Sequence, residues 1–163
     1  MKIVFLFGEI CSGKSTYDFG NHTVKLTVSN VVKRLMQSED REVLQNSKHL
    51  DNQIADMIAE DIWHYQTFVF EDVHSTPEYF IIDGIRQYSI LEQLEQYLQK
   101  TYPDLQLEYK WLEVDSAERK RRFEARKDPK DTLTFEEAEK RDNELGLSEL
   151  FSILKEQNKF KNI

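Results

Sequence analysis

Residues 2–16 read KIVFLFGEICSGKST, and the fold turns on this stretch. Lys2–Phe7 is apolar on both faces, the pattern of a buried strand in the middle of a parallel sheet. Gly8, Gly13, Lys14 and Ser15 follow at the spacing G-x-x-x-x-G-K-S. Glycines let successive backbone N–H groups turn inward on phosphate oxygens. A helix opening at Lys14 would add the positive end of its dipole. Lys14 would reach the β- and γ-phosphates, and the Ser15 hydroxyl would ligate Mg²⁺. Four constrained positions coincide by chance in on the order of one such chain in a hundred or fewer. Their place after a strand favours a loop that binds nucleotide phosphate. Ser12 and Thr16 complete that loop, and Cys11 reads as a tolerated small residue within it.

Working outward, a short helix is expected from Lys14 to Gly20-Asn21, and Thr23–Val28 reads as a second strand. Ser29 or Asn30 would cap a helix through VVKRLMQ (31–37). Leu50, Ile54, Met57, Ile58 and Ile62 recur at helical spacing. Thr67–Phe70 reads as a short extra strand, and Tyr79–Ile82 as a better one ending at Asp83-Gly84. Ile90, Leu91, Leu94 and Leu98 mark a helix closed by Tyr102-Pro103. Leu107–Val114 is the next strand, and Ser116 would cap the basic helix of ERKRRFEARK (118–127). Thr134 and Glu137 open another helix with a capping box. Gly146 separates it from a last helix to about Lys155. Strands alternating with helices predict a three-layer α/β/α sandwich with a mainly parallel sheet, expected as one domain over 1–163.

The composition is that of a soluble globular chain, with 39% hydrophobic and 12% aromatic residues. The opening residues read as a buried strand rather than a secretory leader, and no apolar run reaches the length of a membrane span. A single cysteine, Cys11, excludes an internal disulfide framework; a reducing cytoplasm is the expected compartment. The formal charge of −8 disfavours a broad nonspecific nucleic-acid surface. It leaves room for the local basic run at 118–127.

FIIDGIRQ (80–87) places Asp83 at the end of an apolar strand, where a carboxylate can help hold a Mg²⁺ shell or orient an acceptor. From here the chain resembles the P-loop nucleotide kinases. Nucleoside monophosphate kinases carry Asp-Gly-aromatic-Pro-Arg at this place; Asp83-Gly84-Ile85-Arg86 lacks the proline. By that resemblance Arg86 would grip the acceptor's phosphate. VDSAERKRRFEAR (114–126) lies where those kinases place the helix leading into their lid. Arg122 and Arg126, four apart, share a helix face, and Arg119 can join them. KRDNELGL (140–147) puts Arg141 and Asp142 on the next helix and looks like the second lid arginine of the superfamily. The order DGIR, basic helix, RDNELG is closer to dephospho-coenzyme-A-kinase-like proteins and small nucleotide kinases than to adenylate kinases. The implied lid, about 119–141, is short and has no zinc-bearing insert. The family's last strand, with its adenine-contacting loop, is not legible in LKEQNKFKNI (154–163).

In this superfamily the acceptor sits between the second strand and the Asp-Gly strand, here about 29–65. Asn30, Lys33 and Arg34 open that region, with Asn30 where relatives carry Asp-x-x-Arg; Arg41 and Gln45 are weaker candidates. His49 and Asp51 read as a helix start, and His64 as a packed histidine beside Trp63. The resemblance implies an ATP- and Mg²⁺-dependent kinase. Gly8, Cys11, Ser12, Gly13, Lys14, Ser15, Thr16 and Arg119 would hold the triphosphate, with Ser15 and Asp83 at the metal. Lys14, Asp83, Arg122, Arg126 and Arg141 would be catalytic; Asn30, Arg34 and Arg86 would bind the acceptor. A (deoxy)nucleoside monophosphate is the first acceptor to consider. Two others are a hydroxymethylated pyrimidine within DNA, as for some phage kinases, and dephospho-coenzyme A or a similar small alcohol. A reading of a different class is a nucleotide-binding switch with no acceptor. It is disfavoured because no guanine-reading N-K-x-D occurs and arginines gather at the lid. No membrane partner is expected.

Overall fold

Five consecutive buried side chains, Ile3 to Phe7, give strand β1 (Lys2–Phe7) no solvent face, and the computed structural model places it inside a sheet. The structure describes residues 1–18, 20, 22–38, 50–67, 77, 79–126, 128 and 132–160. Among them are β2 (Thr23–Thr27), β3 (Tyr79–Asp83) and β4 (Gln106–Trp111). The described residues also form six α-helices: α1 (Val28–Met36), α2 (Asp51–Thr67), α3 (Tyr88–Thr101), α4 (Ser116–Arg126), α5 (Phe135–Glu144) and α6 (Leu147–Glu156). The strands form one sheet in the order β2-β3-β1-β4, and all its pairings are parallel. This α/β arrangement is compatible with three layers.

Strand alternation divides the core. Ile3, Phe5 and Phe7, with Phe80 and Ile82, join Ile58, Leu94 and Leu154 of the helices in the main cluster. Val4, Leu6 and Ile81 point the other way, where Tyr17 and Leu112 pack on them. Each such aliphatic side chain contributes roughly 1.5–3 kcal/mol by leaving water. Among the described residues, no helix is long and apolar enough to cross a membrane.

Several local expectations are corrected. The helix expected from Lys14 to Gly20-Asn21 is a single 3-10 turn, Lys14–Thr16, and Tyr17 leaves it extended. Asp18 accepts the Gly20 N–H at 2.8 Å, a local turn that competes with helix propagation. Helix α1 begins at Val28, with Thr27 at its N-cap, rather than after Ser29 or Asn30. Strand β4 ends at Trp111 rather than Val114. Asp115, not Ser116, caps α4, because its carboxylate accepts from the N–H groups of Ala117 and Glu118 at 3.0 and 3.2 Å. Thr67 closes α2, and the rest of the expected strand at 67–70 lies outside the described residues.

The capping box forms as read: Glu137 N–H donates to Thr134 Oγ1 at 3.2 Å, and Thr134 N–H to Glu137 Oε2 at 2.8 Å. Thr134→Ala should destabilise the protein by about 1 kcal/mol, measurable as a lowered urea midpoint. Among the described residues no strand follows α6, but Phe160 makes an isolated parallel bridge to Tyr109 of the edge strand β4. Lys159 fastens this segment through both carboxylate oxygens of Glu95, at 2.9 and 2.8 Å. Tyr109 donates to the same carboxylate at 2.6 Å, and burial with that bond pushes its phenol pKa up.

Candidate active site

Neighbouring strands β1 and β3 send their connections in opposite directions. From β1 the chain passes beyond β3 to β2; from β3 it passes beyond β1 to β4. Open parallel sheets bind ligands in the crevice at the carboxyl ends of such a pair. Here that crevice is a cleft of about 520 Å³. The loop after β1 lines it with Ser12, Gly13, Lys14 and Ser15, and the end of β3 adds Asp83 and Arg86. Arg126 of α4 and Arg141 and Asp142 of α5 close one side. Val28, Val32, Lys33 and Ile54, from α1 and α2, form another.

The loop turns back tightly. Gly8 has φ +153°, and a Cβ there would fall 2.4 Å from Ser12 Oγ and 3.0 Å from the Leu112 carbonyl. No side chain fits. The backbone N–H groups of Gly13, Lys14 and Ser15 make no backbone hydrogen bond among the described residues. The Lys14 ammonium donates to the carbonyls of Gly8 and Glu9 at 2.6 and 2.9 Å, and lies 3.3 Å from Ser12 Oγ. Burial pushes its pKa down, opposed chiefly by the charge of Asp83.

Asp83 is 6% exposed, and its Oδ1 is buried with no hydrogen-bond partner. Burial raises its pKa, while Lys14, Lys25 and Arg86 pull it back. An acceptor-only oxygen left unpaired at the cleft suits a hydrated cation. Among the described residues no three His, Cys, Asp or Glu side chains converge on a metal site. Mg²⁺ needs no such cage, because it keeps several waters and binds through one or two protein oxygens plus substrate phosphates. Asp83 and Ser15, both lining the cleft, fit that requirement.

The arginines divide into two groups. Arg86, Arg126 and Arg141 line the cleft. Arg86 is oriented by Asp142, Nε to Oδ1 2.8 Å, and Arg126 lies over the Phe123 ring at 4.8 Å. Arg119 is diverted. Its side chain, 4% exposed, pairs with Glu9 at 3.0 Å and Glu139 at 2.7 Å, and donates to the Val114 carbonyl. It braces the loop against α5. Arg122 stands beside the loop rather than in the cleft lining; it donates to the Cys11 carbonyl at 3.3 Å and to Glu118 at 2.8 Å. Bonds from Arg121 and Arg122 push the Glu118 pKa down to about 2.

Cys11 has more to do than its reading as a small residue suggests. It adopts φ +59°, and with Ile10 it packs against Phe123, Phe135 and Ala138, tying the loop tip to α4 and α5. Thr16 donates to the Gly13 carbonyl at 3.1 Å within the turn.

The acceptor candidates are split as well. Asn30 and Arg34 line a neighbouring hollow of about 480 Å³ with Gln37 and Ser38, while Lys33 lines both spaces. Arg34 is held by Asp61, Nη1 to Oδ1 3.1 Å, and does not reach the cleft lining. The Ser89 hydroxyl donates to Asp51, and His64 meets Trp63 edge to face at 5.3 Å. Arg41, Gln45 and His49 lie outside the described residues. Two residues at the site were missed by the sequence reading: Lys25, whose ammonium is 3.8 Å from Asp83 Oδ2, and Asp142 as the partner of Arg86. Compared with protein-family models and with curated proteins, the chain matches none.

Proposed function

We propose that this protein is an ATP-dependent phosphotransferase of P-loop type, with a three-layer α/β/α fold and a nucleotide-like acceptor. The observation that carries the reading is the convergence of Lys14, Ser15, Asp83, Arg86, Arg126 and Arg141 on one cleft at the strand ends. Those residues come from separate stretches of the chain, each carrying one kind of group that phosphoryl transfer needs. The loop offers unpaired N–H groups and an ammonium to a triphosphate. Arg126 and Arg141 offer guanidinium groups where charge spreads over the γ-phosphoryl oxygens. Arg86, oriented by Asp142, suits an anionic group on the acceptor.

In the proposed reaction an acceptor oxygen attacks the γ-phosphorus in line. The bond to the β–γ bridging oxygen breaks, and ADP leaves with that electron pair. Lys14, Arg126 and Arg141 hold the moving group, so rate comes from positioning and charge stabilisation. Mg²⁺, when bound through Ser15 and Asp83, neutralises phosphate charge. Val28, Val32 and Ile54 give the acceptor side an apolar wall suited to a nucleobase. A (deoxy)nucleoside monophosphate therefore remains the first acceptor to test, and the cytoplasm the expected compartment.

The test is an acceptor panel with γ-labelled ATP: nucleoside and deoxynucleoside monophosphates, dephospho-coenzyme A, and duplex carrying hydroxymethylated pyrimidine. Label should appear on a free monophosphate. Label in DNA alone would sink the monophosphate reading. Slow hydrolysis unchanged by every acceptor would favour a switch over a kinase.

A further inference from the structure

A loop that cradles phosphate is ordinarily held from behind by the helix that follows it. Here one 3-10 turn follows. The Lys14 carbonyl receives only a long bond within that turn, 3.4 Å from the Tyr17 N–H. Strand β2 supplies what the turn lacks. Lys25 stands opposite Ile81, on the sheet face that Asp83 shares by strand alternation. Its ammonium donates to the Lys14 carbonyl and lies 3.8 Å from Asp83 Oδ2. With its side chain 24% exposed, this charge-assisted bond forms largely out of water. One side chain thus links the motif lysine's backbone to the carboxylate across the crevice.

We propose that Lys25 is a positioning residue of the transfer site, holding the N–H groups of residues 13–15 in place for a triphosphate where no helix does so. The role assigned to the ligand rests on the kinase reading; the holding of the loop does not.

The parent, Lys25→Met and Lys25→Arg proteins are compared in two measurements. Without ligand, amide hydrogen exchange at Thr16 and Tyr17, whose N–H groups bond to the Gly13 and Lys14 carbonyls, should quicken roughly tenfold or more in Lys25→Met, the size of one lost charge-assisted bond. Exchange in β1 should stay unchanged, and Lys25→Arg should recover most of the protection. With Mg·ATP and a working acceptor, Lys25→Met should raise the KM for ATP about tenfold while leaving the acceptor KM unchanged. Parent-like loop exchange and ATP KM in Lys25→Met would overturn the proposal. So would a uniform rise in exchange through β1 with both KM values raised, which marks general packing. Should Lys25→Met fail to fold, Lys25→Gln, uncharged and one bond shorter, carries the same comparison. Absence of transfer in the parent would count against the kinase reading, and the exchange comparison would still decide the role of Lys25.

Discussion

Lys14→Met should lower phosphoryl transfer by roughly 10²–10³-fold, the loss seen when one preorganised charge-stabilising donor is removed. Methionine keeps the length of the stem and deletes only the ammonium. That ammonium lies between the loop and Asp83, where burial already disfavours its charge. A base whose folded pKa is lowered weakens the fold as pH falls from its unfolded value, about 10.4 for a lysine, toward the folded one, so burying this ammonium costs stability rather than adding to it. Removing it should leave the thermal midpoint within a few degrees of the parent. Turnover near the parent's in a folded Lys14→Met protein would refute the phosphate-loop assignment.

Asp83→Asn should cost a similar or larger factor in kcat, roughly 10²–10⁴, whether the carboxylate serves the metal or the acceptor. Its effect on stability runs the other way. Burial, the largest influence, raises the Asp83 pKa. A carboxyl group with a raised folded pKa contributes stability that is present below its unfolded pKa, about 3.9 for an aspartate, and lost as pH rises through the folded value. At pH 7 the asparagine variant should therefore melt above the parent, with the difference closing as pH falls through the carboxylate range. Thermal unfolding at pH 7 and at pH 4 checks this. A parent that gains on the variant between pH 4 and 7 would mean that Lys14, Lys25 and Arg86 outweigh burial. A stability cost at this carboxylate is what the proposed role would lead one to expect.

The parts of the site legible in the sequence were those written into a single element. The apolar run before Gly8 marks β1, and the run before Asp83 marks β3. Both leave their functional group at the strand's carboxyl end because a parallel sheet has nowhere else to put it. Helix spacing grouped Arg126 with Arg119 and Arg122, of which the cleft lining takes Arg126, while Arg141 was placed by resemblance. Lys25 was not legible, because which face it takes depends on the pairing of β2 with β3. Shifted by one residue, it would point away from Asp83. Arg119 reads like its neighbours in a basic run, and only the packing of α5 against the loop brings Glu9 and Glu139 to it. The helix expected after Lys14 stops at Thr16, and beyond it Asp18 offers the backbone a local alternative.

The ion pairs of Arg119 and of Arg34, behind opposite walls of the cleft, differ in how far they are withdrawn from water. Swinging α5 away from the loop tip would strip Glu9 or Glu139 from a guanidinium that is only 4% exposed. One carboxylate would remain, and the lost charge-assisted bond costs about 1.5–3 kcal/mol. Between α1 and α2, the Arg34 side chain is 52% exposed, and separating a pair of that kind costs about 1 kcal/mol or less. Judged by these pairs, the joint between the loop tip, α4 and α5 is clamped, and the one between α1 and α2 is only latched.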